Sequence, residues 1–214
     1  MKKRLFLSTL LVGACLCASA PIFAQETTDA KQELTSKTAV STSTIKNQWK
    51  QVDGAWYYYN EQGESLKQTF WNSYYFHKDG KMASSEWIFE NNHWYYAKPS
   101  GTLAQNEWME INQHWYIFNT QGILLTNQWK DAYYLKPTGA MAENEWIYDA
   151  TYQSWFYLTS NGRYAQNTWK GDYYLKSGGY MAKKEWIYDS NYQAWFYLDE
   201  NGVYVTGSHL INGA

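Results

Sequence analysis

The chain has 214 residues, 20% of them aromatic, with 13 Trp and 21 Tyr, and a formal net charge of −2. Conventional cores are filled with Leu, Ile and Val, which are sparse here, so burial is expected to come from stacked rings. Both cysteines, Cys15 and Cys17, sit at the N-terminus, which excludes disulfides and cysteine-based metal sites from the rest of the chain.

Residues 1–24 combine a basic start (Lys2, Lys3, Arg4), an apolar run and small residues before Gln25, the pattern of a secretory signal peptide cleaved near Ala24. Val12-Gly13-Ala14-Cys15 loosely fits a lipoprotein box. The short apolar run before Cys15 and the lack of a polar tether after it rank lipidation second. Residues 25–47 lack aromatics and are rich in Thr, Ser and charge, as in a flexible spacer. Loss of the signal removes three of the 18 basic groups and leaves 15 against 20 acidic ones, net −5. An acidic chain gains nothing from counterion release on a polyanion, so nucleic acid is a poor partner. No segment after the signal has the apolar length to span a bilayer.

From residue 48 to 214 the sequence repeats. Trp129–Asn167 and the stretch from Trp169 onward are nearly the same text at a period of 40, which indicates stacked units, each burying a face on its neighbour. The smaller unit is a Gly followed seven positions later by Trp. Opening aromatics at 49, 70, 87, 108, 129, 146, 169 and 186 are separated by 21, 17, 21, 21, 17, 23 and 17 residues, with Phe70 in place of Trp. Gly202 leads instead to His209, where a cap is expected to begin. Within each unit an aromatic β-favouring run, a polar turn and a second such run precede the Gly, and no helical apolar stripe occurs. The expected fold is therefore all-β, a solenoid of about eight stacked β-hairpins.

In a strand, alternate side chains share a face. Tyr95, Tyr116, Tyr133, Phe156, Tyr173 and Phe196 are expected to pack along the solenoid axis. The other face carries the opening Trp, the Trp seven before the Gly and the Tyr five before it. Long units bear the second Trp, whereas short units have Ser73, Ala132 or Asp172 there and a Met two after their Gly. Each long-to-short junction then gathers two Trp, a Tyr and a Met. The three sets are Trp49, Trp56, Tyr75 and Met82; Trp108, Trp115, Tyr134 and Met141; and Trp146, Trp155, Tyr174 and Met181. Three aromatic walls around a void suit a quaternary ammonium, which cannot donate a hydrogen bond and is held by ring faces at ~0.5–2 kcal/mol per contact. A thioether supplies a polarisable floor. Simple core packing gives no reason for Met to recur only where two Trp precede it.

These residues resemble a known family. The hairpin WIYDxxYQxWFYLxxxG followed by WKGxYYLKxxGxMA is similar to the choline-binding repeats of pneumococcal-type cell-surface proteins. It is closest to the repeat module of their cell-wall endo-β-N-acetylglucosaminidase and to the small choline-binding proteins. The similarity covers residues 48 to about 207. It implies docking on phosphocholine of wall and lipid-linked teichoic acids, at sites using two aromatics from one hairpin and one from the next. Carried onto this chain, that scheme falls on the same three quartets. There are departures: Glu86, Glu107, Glu145 and Glu185 stand before the opening Trp where the family usually has Gly. At the junction opened by Trp87 and Trp94, Ile117 replaces Tyr and Leu124 replaces Met, so that site is expected to be weak or lost. Junctions opened by Trp129 and Trp169 lack a second Trp, and Tyr157 with Tyr164, or Tyr197 with Tyr204, would form partial cages.

Catalysis is not expected. The spacer is too short for a separate catalytic domain, and the recurring Glu107, Glu145 and Glu185, like Asp149 and Asp189, read as solvated or turn residues. His93 and His114 share a register without a third ligand, so neither a metal nor another cofactor is expected. A glucan-binding module is the alternative, since sugar faces also stack on Trp and Tyr; the recurrent Met favours choline. A host or bacterial surface protein is a further candidate partner, through the exposed face of the rod, the degenerate middle junction or the tail Val203–Ala214.

Overall fold

The computed structural model describes residues 45–206. The expected signal peptide, most of the spacer, Cys15 and the segment around His209 lie outside the described residues.

Sixteen strands form eight antiparallel hairpins, each a separate two-stranded sheet. Five are long: β1–β2 (Gln48–Val52, Ala55–Tyr59), β5–β6 (Glu86–Glu90, His93–Ala97), β7–β8 (Glu107–Ile111, His114–Phe118), β11–β12 (Glu145–Asp149, Ser154–Leu158) and β15–β16 (Glu185–Asp189, Ala194–Leu198). Three are short: β3–β4 (Thr69–Trp71, Tyr74–Phe76), β9–β10 (Gln128–Lys130, Tyr133–Leu135) and β13–β14 (Thr168–Lys170, Tyr173–Leu175). The expected solenoid of hairpins is the observed fold, and the strand starts coincide with the aromatic repeat.

The turns follow from local chemistry. Asp53-Gly54, Asn91-Asn92 and Asn112-Gln113 all have positive φ at both positions, as a two-residue hairpin turn of matching twist requires. In the last two long hairpins the turn is two residues longer, Ala150–Gln153 and Ser190–Gln193, which accounts for the 23-residue interval. In the later of these, Asp189 is buried and its Oδ1 accepts the N–H of Asn191 and Tyr192.

Hairpins are tied to one another by a recurring backbone bond. The residue two after each Gly donates its N–H to the residue seven before the preceding Gly, as in Met82 to Trp56 at 2.8 Å, Leu124 to Trp94 at 2.9 Å and Tyr164 to Ala132 at 3.0 Å. The Gly itself has to be Gly. Gly101 has φ +85, and a Cβ there would lie 2.2 Å from the Met82 methyl, so the linker crosses directly over the side chain beneath it.

The axis departs from the expectation that rings alone supply the burial. Its fully buried residues are the last of every second strand after the first hairpin, Phe76, Ala97, Phe118, Leu135, Leu158, Leu175 and Leu198, with Ala83, Ala104, Ala142 and Ala182 beside them. Burying a Leu or Phe contributes ~1.5–3 kcal/mol. Other rings pack around this line of Leu, Ala and Phe largely edge to face, for example Trp129 on Phe156 and Trp169 on Phe196.

Candidate functional site

Three cavities of about 280, 240 and 350 Å³ lie at the three long-to-short junctions. The first is lined by Trp49, Trp56, Tyr74, Met82 and Ser100. Trp108, Trp115, Tyr133, Met141 and Asn161 line the second, and Trp146, Trp155, Tyr173, Met181 and Asn201 the third.

Each wall is placed by register. In the first, Trp49 lies opposite Tyr58 and Trp56 opposite Gln51, so both indoles leave the same face of one hairpin. Their rings meet at 85° with centroids 6.4 Å apart. The Tyr comes from the next hairpin, with Tyr74 4.9 Å from Trp49 and both Tyr133–Trp108 and Tyr173–Trp146 at 5.4 Å, all edge to face. The inter-hairpin backbone bond carries the Met beneath the outer Trp, at 2.8 Å for Met82 and Met141 and 3.0 Å for Met181. A third hairpin closes the rim with the polar residue before its Gly: Ser100, Asn161 or Asn201.

Six indoles and three methionines therefore gather as the sequence indicates, but Tyr75, Tyr134 and Tyr174 do not. They are only 5%, 9% and 9% exposed and sit in the hydrophobic clusters on the opposite face of their hairpins. Tyr134 pairs with Trp129 and Tyr174 with Trp169. Burial and the neighbouring Glu90, which accepts a hydrogen bond from its hydroxyl, push the Tyr75 phenol up to about 12. The physical reason for the correction is that a hairpin in a stack has two partners. It turns its Trp face toward the next unit and its reverse face toward the previous one, so the Tyr that completes a cage is one residue earlier. Tyr133 and Tyr173, assigned to axial packing by sequence, are cage walls instead. Tyr95 and Phe156 are buried as expected.

The same one-residue shift changes the degenerate junction. Ile117 lies opposite Trp108 and packs in the second cage's own cluster. The ring that faces Trp87 is Tyr116, at 4.9 Å and 70°. Trp87 and Trp94 meet at 6.3 Å and 89°, the geometry of the first cage, with Leu124 bonded beneath Trp94. Thus Trp87, Trp94, Tyr116 and Leu124 form a fourth set in the same relation. The expected partial cages shift likewise. Tyr157 is buried opposite Trp146, and it is Phe156, not Tyr157, that shares Trp129 with Tyr164. Around Trp169 the neighbours are Phe196 and Tyr204.

The Glu ladder has a definite structural task. Glu107, Glu145 and Glu185 accept from Lys98, Lys136 and Lys176 of the preceding hairpin at 2.8 Å each, and Glu86 meets His77 at 3.0 Å. The hydrogen bond from Lys98 holds the Glu107 carboxyl below its ordinary value. Such half-exposed pairs contribute ~0.2–1 kcal/mol each. His93 and His114 each open a second strand at the solvent side, with His93 Nδ1 hydrogen-bonded to the carbonyl of Asn91.

Chemically, each cage offers π faces, a thioether and one neutral polar rim residue, and no carboxylate within its walls. In the first cage the two indoles stand nearly perpendicular instead of lying flat on one another, and all three junctions leave a slot that admits a small organic cation.

A family model described as "Choline-binding repeat" matches residues 123–164, and one described as "Putative cell wall binding repeat" matches residues 47–65, 85–103 and 184–204. Among solved structures, the chain is similar to the modular autolysin LytC of Streptococcus pneumoniae. The identity is 36%, covering 79% of this chain and 40% of that one, with a TM-score of 0.72. Choline binding protein F of the same organism is 28% identical, covering 74% and 57%, with a TM-score of 0.57. The choline-binding domain of CbpL, also from Streptococcus pneumoniae, is 41% identical over 78% of this chain and 100% of that one, at a TM-score of 0.48. This chain spans 40% of the length of the autolysin. No curated protein matches it.

Proposed function

We propose, because the chain belongs to the choline-binding repeat family, that it docks on phosphocholine of cell-wall and lipid-linked teichoic acids through the cages between its hairpins. In this reading it is a secreted, non-catalytic protein held non-covalently at the bacterial surface, where it acts as an adhesin or modulates wall hydrolases. The observation that carries the reading is the recurrence of one construction, two Trp, one Tyr and one Met around a cavity, at all three long-to-short junctions. The proposed ligand-binding residues are Trp49, Trp56, Tyr74 and Met82; Trp108, Trp115, Tyr133 and Met141; Trp146, Trp155, Tyr173 and Met181; and, in the fourth set, Trp87, Trp94, Tyr116 and Leu124.

A single cage touches few ligand atoms and binds weakly. Teichoic acid presents many phosphocholines on one polymer, and several cages on one array gain ~10²–10⁴-fold by effective concentration. The net acidic chain leaves the ammonium attractive while opposing nonspecific adhesion to polyphosphate. The test is retention on a diethylaminoethyl support, with elution by choline, beside retention on dextran. Choline-eluted retention supports the reading; dextran binding untouched by choline refutes it.

A further inference from the structure

A fourth cavity, of about 240 Å³, belongs to none of the cages. It opens between the short hairpin β9–β10 and the long hairpin β11–β12, the reverse order of the cage junctions. Its walls include Trp129, Tyr152, Tyr164 and Tyr180, its floor is the buried Phe156, and Asp131 stands among its lining residues.

The sequence builds this space with residues that the cages do not use. The two extra residues in the Ala150–Gln153 turn let Tyr152 reach Tyr180 at 5.8 Å and Phe156 at 5.8 Å. Asp149 fixes both sides of it. Its Oδ2 accepts the Trp129 indole N–H at 2.7 Å, and its Oδ1 accepts the backbone N–H of Thr151 and Tyr152. Trp129 therefore presents a ring without a free donor. Tyr152 and Tyr180 remain 50% and 36% exposed, so their rings are available to a ligand.

We propose that this cavity is a binding site for a pyranose ring of a neutral saccharide, separate from the ammonium cages. The polar groups decide between the two ligand classes. A trimethylammonium cannot donate to Asp131, and Lys130 Nζ, 3.5 Å from the Asp131 carboxylate, offsets the charge that would draw a cation. A saccharide ring uses the same groups fully. Its hydroxyls donate to the Asp131 carboxylate, its C–H face lies on Tyr180 or Trp129, and the tyrosine hydroxyls exchange hydrogen bonds with its rim. The volume suits one ring of an oligosaccharide. Nowhere else among the described residues does the repeat offer the same set. The corresponding turn of β13–β14 has Gly171 where Asp131 stands, and the two-residue Asn91-Asn92 turn carries no counterpart of Tyr152.

The experiment follows the indole N–H resonances of the full-length protein by ¹⁵N NMR at saturating choline, with the cages filled. An N-acetylglucosamine trimer and a glucose trimer are then titrated separately. At least one is expected to shift the Trp129 indole signal saturably. Tyr180→Ala should weaken that shift about tenfold, and Asp131→Asn several-fold, with choline-eluted retention unchanged in both variants. The inference is overturned if neither trimer moves Trp129, if choline alone saturates the Trp129 signal, or if both variants respond like the parent. Failure of the cages would appear separately, as lost choline retention.

Discussion

Met141 donates its backbone N–H to the carbonyl of Trp115 at 2.8 Å, so the floor of a cage is hydrogen-bonded to its outer wall. The bond that holds one hairpin on the next is also the bond that forms the slot. A ligand in the slot bridges two hairpins and touches a third, so occupancy and stacking are coupled. Choline is therefore expected to stabilise the array by mass action, by ~2.7 kcal/mol for each site held at a hundred times its Kd. Thermal unfolding followed by circular dichroism should show Tm rising with choline, and rising less in Trp115→Ala. A Tm insensitive to choline would disconnect the cages from the stack.

Register gives a sharper test. Tyr133→Ala should empty one cage and leave the fold intact, because this ring stands at the cavity and is only half-buried. Tyr134→Ala should do the opposite. That ring is buried beside Trp129 and Phe156, and its hydroxyl donates to Asn127, so truncation should cost ~3–5 kcal/mol. Calorimetric choline stoichiometry and urea unfolding on the same two proteins separate the effects. Binding lost with Tyr134→Ala and kept with Tyr133→Ala would reverse the assignment of faces.

The contrast between Tyr133 and Tyr134 also shows how far the sequence could be read. The repeat period, hairpin turns and two-Trp junctions are local patterns, and all of them appear in the fold. Which face of a hairpin meets which neighbour is not local. Period-two alternation divides Tyr133 from Tyr134 but leaves open which one turns toward the previous unit. That choice is set by the linker, where Asn127 and Gly122 both take positive φ and redirect the chain between units. The rim residues Ser100, Asn161 and Asn201 were hidden for the same reason. Each precedes a turn Gly and reads as turn chemistry until a third hairpin is seen to reach back.

The junction of Trp87 and Trp94 follows from this correction. With Tyr116 in place, it differs from the first cage chiefly in Leu124 for Met. Both side chains are apolar and similar in volume, so the exchange loses a polarisable contact worth ~0.3–1.5 kcal/mol and keeps the aromatic walls. Calorimetry of the parent protein should titrate four choline equivalents, one of them several-fold weaker. Trp94→Ala should remove that weaker class alone. Three equivalents, unchanged by Trp94→Ala, would show that the leucine closes the slot.

Acid should loosen the C-terminal half of the array. Burial alone would raise the Asp149 and Asp189 carboxyls, but the indole N–H of Trp129 and Trp169 and the backbone N–H groups of their turns outweigh it and hold both below the ordinary value. A group more acidic in the folded state than in the unfolded chain favours folding above the unfolded carboxylate range, near pH 4. That contribution is lost as pH falls through the folded value. Glu107 and Asp79, lowered by Lys98 and Lys81, add to the same limb from the N-terminal half. Replacing both aspartates, Asp149→Asn with Asp189→Asn, should lower stability at neutral pH and flatten the acid limb, with the Trp129 and Trp169 indole signals broadening first. If the double variant loses stability between pH 5 and 2 as steeply as the parent, the acid sensitivity lies elsewhere in the array.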